Sequence, residues 1–424
     1  MNDLRHAGDV DIREIVVINS QGVEFDITEQ VFHINIYEDL FGSFINGKLV
    51  IKDSVELRSA IPLIGQEILR IDIRTPGLET VDAFSEEFYI HKMDDMVKQS
   101  ERNLMYVLHF ISKEAIVDTN IKVTQSFSGN IGEIVEKLIT SDRCLNTIKE
   151  YNIEPTSNSF KYVSNYWTPT QNIQYCCEHA LNLNNSPTYM FYENKYGLNF
   201  ISMEGLYEVQ PEPFMEFTYH NKKFEPKEWI EQYSQILEYR QPETFDYMKR
   251  VHSGLYASEV IYYDTLARRY VHKAFAPEFD DLPHLNDYPI WTNKLHISSQ
   301  GSISSGIINY NSHDGYGDTT NVKHIQRRKT LMAQAEGHKL IIEVMGRTDY
   351  TIGQKVNVTI PLHYQHTKGN EGNSTTDDRD FMLSGNYIIA AINHVISRTN
   401  HTCMMELIKD SIILDLSYVQ FPRF

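Results

Sequence analysis

One tripeptide occurs twice in this chain, each time with the same kind of strand behind it. Residues 63 to 77 read LIGQEILRIDIRTPG, and residues 351 to 363 read TIGQKVNVTIPLH. In each, Ile-Gly-Gln opens an alternation of apolar and polar residues, Ile68 to Ile73 in the first and Val356 to Ile360 in the second. Glycine admits the positive φ of a tight turn, and an alternating run buries one face of a strand. Further on, Phe88-Tyr89-Ile90 begins FYIHKMDDMVKQS and Tyr387-Ile388-Ile389 begins YIIAAINHVISRT. Each leads to a final strand, LMYVLHFIS or CMMELIKDS. Gly65 and Tyr89 are 24 positions apart, Gly353 and Tyr387 are 34 apart, and the difference fits inside the polar segment HTKGNEGNSTTDDRD. Upstream, Gly47 opens GKLVIKDS with its strand ending at Asp53, and Gly254 opens GLYASEVIYYDT with its strand ending at Asp264. Gly47, Asp53, Gly65, Gln66 and Tyr89 are thus answered in order by Gly254, Asp264, Gly353, Gln354 and Tyr387. A single Gly-Gln before a strand is a common turn spelling. The ordered series predicts two copies of one antiparallel barrel in a single chain.

The rest of the chain fits around that repeat. Residues 1–115 read as five or six short strands rich in β-branched and aromatic residues, punctuated by SQG, GSFING and TPG. This predicts a first barrel. From 116 to 215 the character changes. In GNIGEIVEKLITSD, Ile131, Ile134, Val135, Leu138 and Ile139 share one helical stripe and Asn130 stands at the N-cap. In TPTQNIQYCCEHAL, Thr168 is placed to cap a helix, with Pro169 in its first turn. A hairpin around NKYG follows, so an α/β module is expected. Residues 216–275 and 335–410 supply strands for the second barrel, 276–334 read as an irregular insertion, and 411–424 as a C-terminal tail. The fold class is mainly β with an α/β module.

Composition bounds the function. The chain has 424 residues and a net charge of −18. Phosphate contacts need Lys and Arg, so a general nucleic-acid binder is disfavoured, while a surface that DNA slides past is compatible. The four cysteines, Cys144, Cys176, Cys177 and Cys403, are sparse and two are adjacent, which predicts buried thiols in a reducing compartment. The charged start MNDLRHAGDVDIRE lacks an apolar signal region. No run approaches the roughly 18 apolar residues of a membrane span.

Motifs for chemistry are missing where they would be expected. INGK (Ile45 to Lys48) lacks the spacing of a Walker loop. GSISSG (Gly301 to Gly306) has Ile303 where a nucleophile elbow needs Ser, and reads as a flexible loop. Cys176 and His179 share a helical face, but a metal needs further ligands, and core packing is the simpler reading. Asp280-Asp281 and Asp377-Asp378 read as solvated loop pairs, although glycoside hydrolysis would need two carboxylates. HIQRRKT (His324 to Thr330) is the one notable basic run, suited to an acidic partner or a surface turn. No catalytic, cofactor or metal residue is expected.

Five segments in order, GKLVIKDS, LIGQEILRIDI, TPTQNIQYCCEHA, YMFYENKYGLNFIS and TIGQKVNVTI with SGNYIIAAINHVI, resemble the baseplate hub proteins of contractile-tailed bacteriophages. Those are similar to the N-terminal part of type VI secretion spike proteins. The resemblance implies a homotrimer whose six barrels form a pseudo-sixfold ring. It implies an adaptor between the sixfold tail tube and a trimeric cell-puncturing spike, with a channel through which DNA passes without specific binding. It implies a virion location, in the tail baseplate, after assembly in the host cytoplasm, and no enzymatic activity. A tail-associated cell-wall hydrolase and a glycan-binding receptor protein are the alternatives. Neither accounts for a repeated barrel interrupted by an α/β module.

Overall fold

A computed structural model describes residues 6–57, 63–78, 81, 83–98, 103–210, 215–220, 229–243, 245–264, 268–276, 282–291, 302–308, 319–362 and 379–415. The first part holds β1 (Asp11–Ile18), β2 (Glu24–Asp26), β3 (Val31–Asp39), β4 (Asn46–Asp53), β5 (Ile68–Arg74), β6 (Phe84–Lys98) and β7 (Leu104–Ser112). Next come α1 (Lys113–Asn120), β8 (Ser126–Asn130), α2 (Ile131–Thr140), β9 (Tyr151–Ile153), β10 (Ser159–Val163), α3 (Pro169–His179), β11 (Tyr189–Asn194), β12 (Gly197–Ser202) and α4 (Met203–Glu208). Then follow β13 (Glu216–Tyr219), β14 (Gln235–Arg240), α5 (Tyr247–Ser253), β15 (Ser258–Asp264), β16 (Arg269–Phe275), β17 (Tyr288–Pro289), β18 (Ser302–Ile308) and α6 (Thr319–Ala335). The chain ends its described part with β19 (His338–Met345), β20 (Lys355–Thr359), β21 (Gly385–Ser397), β22 (His401–Lys409) and β23 (Ser411–Ile412).

Thirteen strands join in the order β2-β1-β5-β6-β7-β4-β3-β21-β20-β13-β14-β19-β22, and a further β21–β22 pairing closes the last six into a barrel. Within that barrel β13 runs parallel to both neighbours and the other pairs are antiparallel. Alternation explains its core. Leu340, Ile342 and Val344 on β19, Val356 and Val358 on β20, and Cys403, Met405 and Leu407 on β22 all point inward. The first half has its own core from Ile15, Ile34, Leu49, Ile71, Phe88 and Leu108, among others. Each such side chain contributes about 1.5–3 kcal/mol on burial. No ladder joins β3 to β1 among the described residues, so this half curls without closing through hydrogen bonds.

The repeated turns set the same register in both halves. Ile68 lies opposite Tyr89 and Val356 opposite Tyr387, each the third residue after its turn glycine. A bulge follows at once, at Ile90/Lys92 in β6 and at Ile389/Ala391 in β21.

Helices α2 and α3 pack with β8–β12 around a third core. Asn130 caps α2, and Thr168 caps α3 through a reciprocal box with Gln171, with Pro169 in the first turn. The Lys149 ammonium fastens this module to the first barrel. It contacts Glu193 of β11 and lies 3.7 Å from both Glu86 of β6 and Glu114 of α1.

Three expectations need correction. First, β15 pairs with β16 on one side and β18 on the other in a separate three-stranded sheet, which contributes nothing to the second barrel. Gly254 has φ +83° and ends α5 in the left-handed conformation, while Asp264 pairs with Arg269 and Ile308. The counterpart of β4 is instead β19, which lies between β22 and β14 as β4 lies between β7 and β3. Gly47 serves close packing: a Cβ there would lie 2.3 Å from the Asn35 carbonyl oxygen and the Phe110 ring. The two glycines answer different physical needs.

Second, the segment read as irregular contains strand β18, over most of the expected GSISSG loop, and the 17-residue helix α6. The basic run lies on α6, where the Arg328 guanidinium donates to the carbonyls of Cys177, Pro187 and Tyr189 at 2.6–3.0 Å. It pins the helix to the module and is no exposed turn. Third, the expected tail begins with β23, which pairs with β17. Asp280, Asp281, Asp377, Asp378 and Gly301 lie outside the described residues.

Candidate assembly interface

The two Ile-Gly-Gln turns differ in what covers them. In the first, the backbone N–H groups of Ile64, Gly65 and Gln66 donate to the Glu67 carboxylate at 2.7, 2.9 and 3.1 Å. Gly65 has φ +87°, and a Cβ on it would meet nothing within 4 Å. The Ile64 side chain stands outside and is 64% exposed.

The second turn is roofed. Gly353 has φ +81°, and its N–H donates to the Ile389 carbonyl at 2.9 Å. Gln354 closes the loop on itself, accepting from the Thr351 N–H at 2.9 Å and donating to the Asp349 carbonyl at 3.0 Å. From β3, the Glu38 carboxyl accepts from the Thr351 hydroxyl and from the Ile352 N–H at 3.2 Å. Burial pushes the Glu38 carboxyl up to about 7, against the lowering effect of those hydrogen bonds. The Tyr192 hydroxyl of β11 would stand 2.7 Å from a Cβ on Gly353. Ile352 is only 1% exposed.

The roof exists because β21 pairs with strands of both halves. Its beginning, Gly385–Ile388, pairs with β20; its later part, Ala391–Ser397, pairs with β3 of the first half. Strand β6 is built the same way. Phe84–Tyr89 pairs with β5, but Lys92–Lys98 has only β7 as a ladder partner among the described residues. On this open half Met96 and Val97 are exposed, Val97 at 57%. A second bulge between Asp94 and Val97 and the charges of Lys92, Asp94 and Lys98 mark the edge. Such features suppress indiscriminate strand addition.

At the other end of the sheet, β14 stands where β3 stands in the first half. It pairs with β19 through Ile236–Arg240, while β13 takes only Gln235 and Ile236. The far side of Leu237–Arg240 has no ladder partner among the described residues. The chain therefore joins a β21-type strand to a β3-type strand internally, and among the described residues the corresponding strands β6 and β14 have no such ladder between them.

The other sequence-derived positions have local roles. Asp53 accepts from the N–H groups of Val55 at 3.1 Å and Leu57 at 2.9 Å, closing the turn after β4. Tyr89 is half-buried, whereas Tyr387 is buried and donates to the Leu383 carbonyl at 2.7 Å. Cys176 and His179 belong to packing. Cys176 Sγ lies 3.8 Å from the Tyr162 hydroxyl, and the His179 ring stacks on Phe160. A cluster that the sequence reading missed is His394, His401 and Cys403, which converge inside the second barrel. The signal was the His-x-Cys spacing on β22, which puts two ligand types on one strand face, opposite His394 on β21.

The fold is that of solved tail proteins. It is similar to the tail protein from Neisseria meningitidis MC58, at TM-score 0.56 and 12% identity, covering 94% of this chain and 96% of that one. It is also similar to the 43 kDa tail protein of prophage MuSo2 from Shewanella oneidensis, at TM-score 0.53 and 9% identity, covering 94% and 98%. In sequence the chain is 21% identical over 434 residues to the probable baseplate hub protein gp334 of Vibrio phage KVP40, covering 97% of each protein. No family model matches the sequence.

Proposed function

We propose that the chain is a structural baseplate hub of a contractile phage tail, assembling as a homotrimer in the virion. The observation that carries this reading is the joint between β21 and β3 within the chain. That joint has a second version between subunits, β6 of one against β14 of the next, strands whose outer sides have no ladder partner among the described residues. Repeating that contact with the same rotation generates a ring, the closed solution expected for a homo-oligomer. Three chains contribute six halves, which match a sixfold tail tube on one side and a trimeric spike on the other. The exposed Ile64 turn would then be roofed by the neighbouring subunit as the Ile352 turn is roofed within the chain. The similarity to a probable baseplate hub protein over nearly the whole of both chains supports the same reading.

The trimer would carry 3 × −18 = −54 formal charges. An acidic channel wall would repel DNA and let it pass. The role is adaptor and conduit, with no hydrolytic step.

Light scattering of the purified chain, alone and with its trimeric spike, tests the assembly. A threefold particle with a central hole in electron micrographs is expected. A stable dimer, or a monomer that persists on the spike, would overturn the trimer, and a basic channel wall would overturn the conduit.

A further inference from the structure

Three ligand atoms meet inside the second barrel where β21 crosses from one half of the sheet to the other. His394 Nδ1 is 3.0 Å from His401 Nε2, and Cys403 Sγ is 3.3 Å from the first and 3.4 Å from the second. All three side chains are buried. The strand geometry brings them together. His394 is the cross-strand partner of Cys403, and His401 lies two residues before Cys403 on the same face of β22.

These contacts form a triangle, which neutral groups do not satisfy. Each neutral imidazole has one N–H, and the thiol has one S–H. If both ring nitrogens carried their protons here, they would oppose each other. With one donor nitrogen, one acceptor nitrogen and one S–H, two protons serve three contacts. A cation above the centre of the triangle meets all three atoms at once. With a few tenths of an ångström of expansion it would lie about 2.0–2.1 Å from each nitrogen and about 2.3 Å from sulfur, as zinc requires.

We propose that His394 Nδ1, His401 Nε2 and Cys403 Sγ form a three-ligand zinc site that ties β21 to β22 at the junction of the two halves.

The surroundings are arranged for it. The Tyr350 backbone lies beside the His394 imidazole and the Arg347 backbone beside the Cys403 sulfur, while His394 Nε2, on the far side of the ring, is buried without a hydrogen-bond partner. The His401 ring lies against Gly346, where a Cβ would sit 2.3 Å from ring carbons. Binding would release the thiol proton to solvent and leave a net charge of +1. Asp349, itself ion-paired with Arg347, and Glu38 act on Cys403, and Lys195 acts on His394.

The test uses the full-length chain purified without chelator. Elemental analysis should find about one zinc per chain. Replacing it with cobalt should give a sulfur-to-cobalt charge-transfer band in the near ultraviolet. Cys403→Ser and His401→Asn should each lose the zinc, and Cys403→Ser should lose the band as well. Should the variants fail to fold, the wild-type zinc content and cobalt spectrum still decide. Wild-type protein with no zinc as purified and no stoichiometric uptake on titration would overturn the proposal and leave a hydrogen-bonded triad. Copper in place of zinc would overturn the choice of ion.

Discussion

The turn at Ile64 and the turn at Ile352 share a tripeptide, a positive-φ glycine and the register of the strand that follows. They differ in their roofs. The first is satisfied by its own next residue, Glu67, and faces outward. The second borrows Glu38 from β3 and is covered by Tyr192 from the α/β module. One local structure can thus end as a finished joint or as an unfinished one, depending on which strand arrives beside it. In this chain the finished joint is the pattern for the contact proposed between subunits.

Glycine replacement should separate the two turns most strongly. Gly65→Val strains a left-handed residue in open space and should cost about 1–2 kcal/mol. Gly353→Val adds the collision with Tyr192, a further 1–3 kcal/mol or so. Urea denaturation of the two variants measures the gap. Equal losses would break the distinction between a roofed and an open turn.

Acid should separate the two halves next. The second barrel buries His338, lowered by desolvation to about 3, and His394, lowered by desolvation to about 4, together with His401. The first half has His6, His33, His91 and His109, which are half-buried or exposed, and of these His91 is lowered by desolvation. A depressed folded-state value means that stability is fully present above about 6.5, the unfolded value, and is lost as pH falls towards 4. Glu38 works the other way. Raised to about 7, it favours the fold increasingly as pH falls to about 4.5, but it is one group against three. Lys409, lowered by burial to about 7, loses its share between about 10.5 and 7, above this window. Hydrogen exchange of chelator-treated protein, corrected for intrinsic rates, should show β19–β22 losing protection between pH 6.5 and 4 while β4–β7 hold. Uniform loss across both halves would count against the assignment.

The smallest effect on the isolated chain should come from the open edge. Val97→Lys should change stability by no more than about 0.5 kcal/mol and yet abolish self-association in light scattering. Intact assembly in that variant would show that β6 is not the contact.

Several features were legible because they are local. Asn130 and Thr168 announce helix starts through the chemistry of their own first turns. The twin turns announce themselves because only glycine holds that φ without strain. The match of Gly254 with Gly47 failed because a glycine letter does not say whether it serves a left-handed cap or close packing. A better signal was present: Lys48-Leu49-Val50-Ile51 on β4 is answered by Lys339-Leu340-Ile341-Ile342 on β19. Helix α6 was missed because Arg328 faces inward to three carbonyls, and a basic run reads as solvated unless its acceptors are known. The histidine–cysteine triangle needed a cross-strand partner, which is set by register between strands.

By itself the sequence determined that two stretches would turn at Gly65 and Gly353 and send out strands of the same phase. Backbone sterics and side-chain alternation act over a few residues, so the local spelling suffices. Only the tertiary structure decided that Ile352 would be buried and Ile64 left in solvent. That outcome depends on β3 reaching β21 from more than three hundred residues away, while no described strand reaches the outer half of β6. A ladder edge is filled by whatever strand the rest of the fold carries to it, and nothing in the tripeptide specifies that strand.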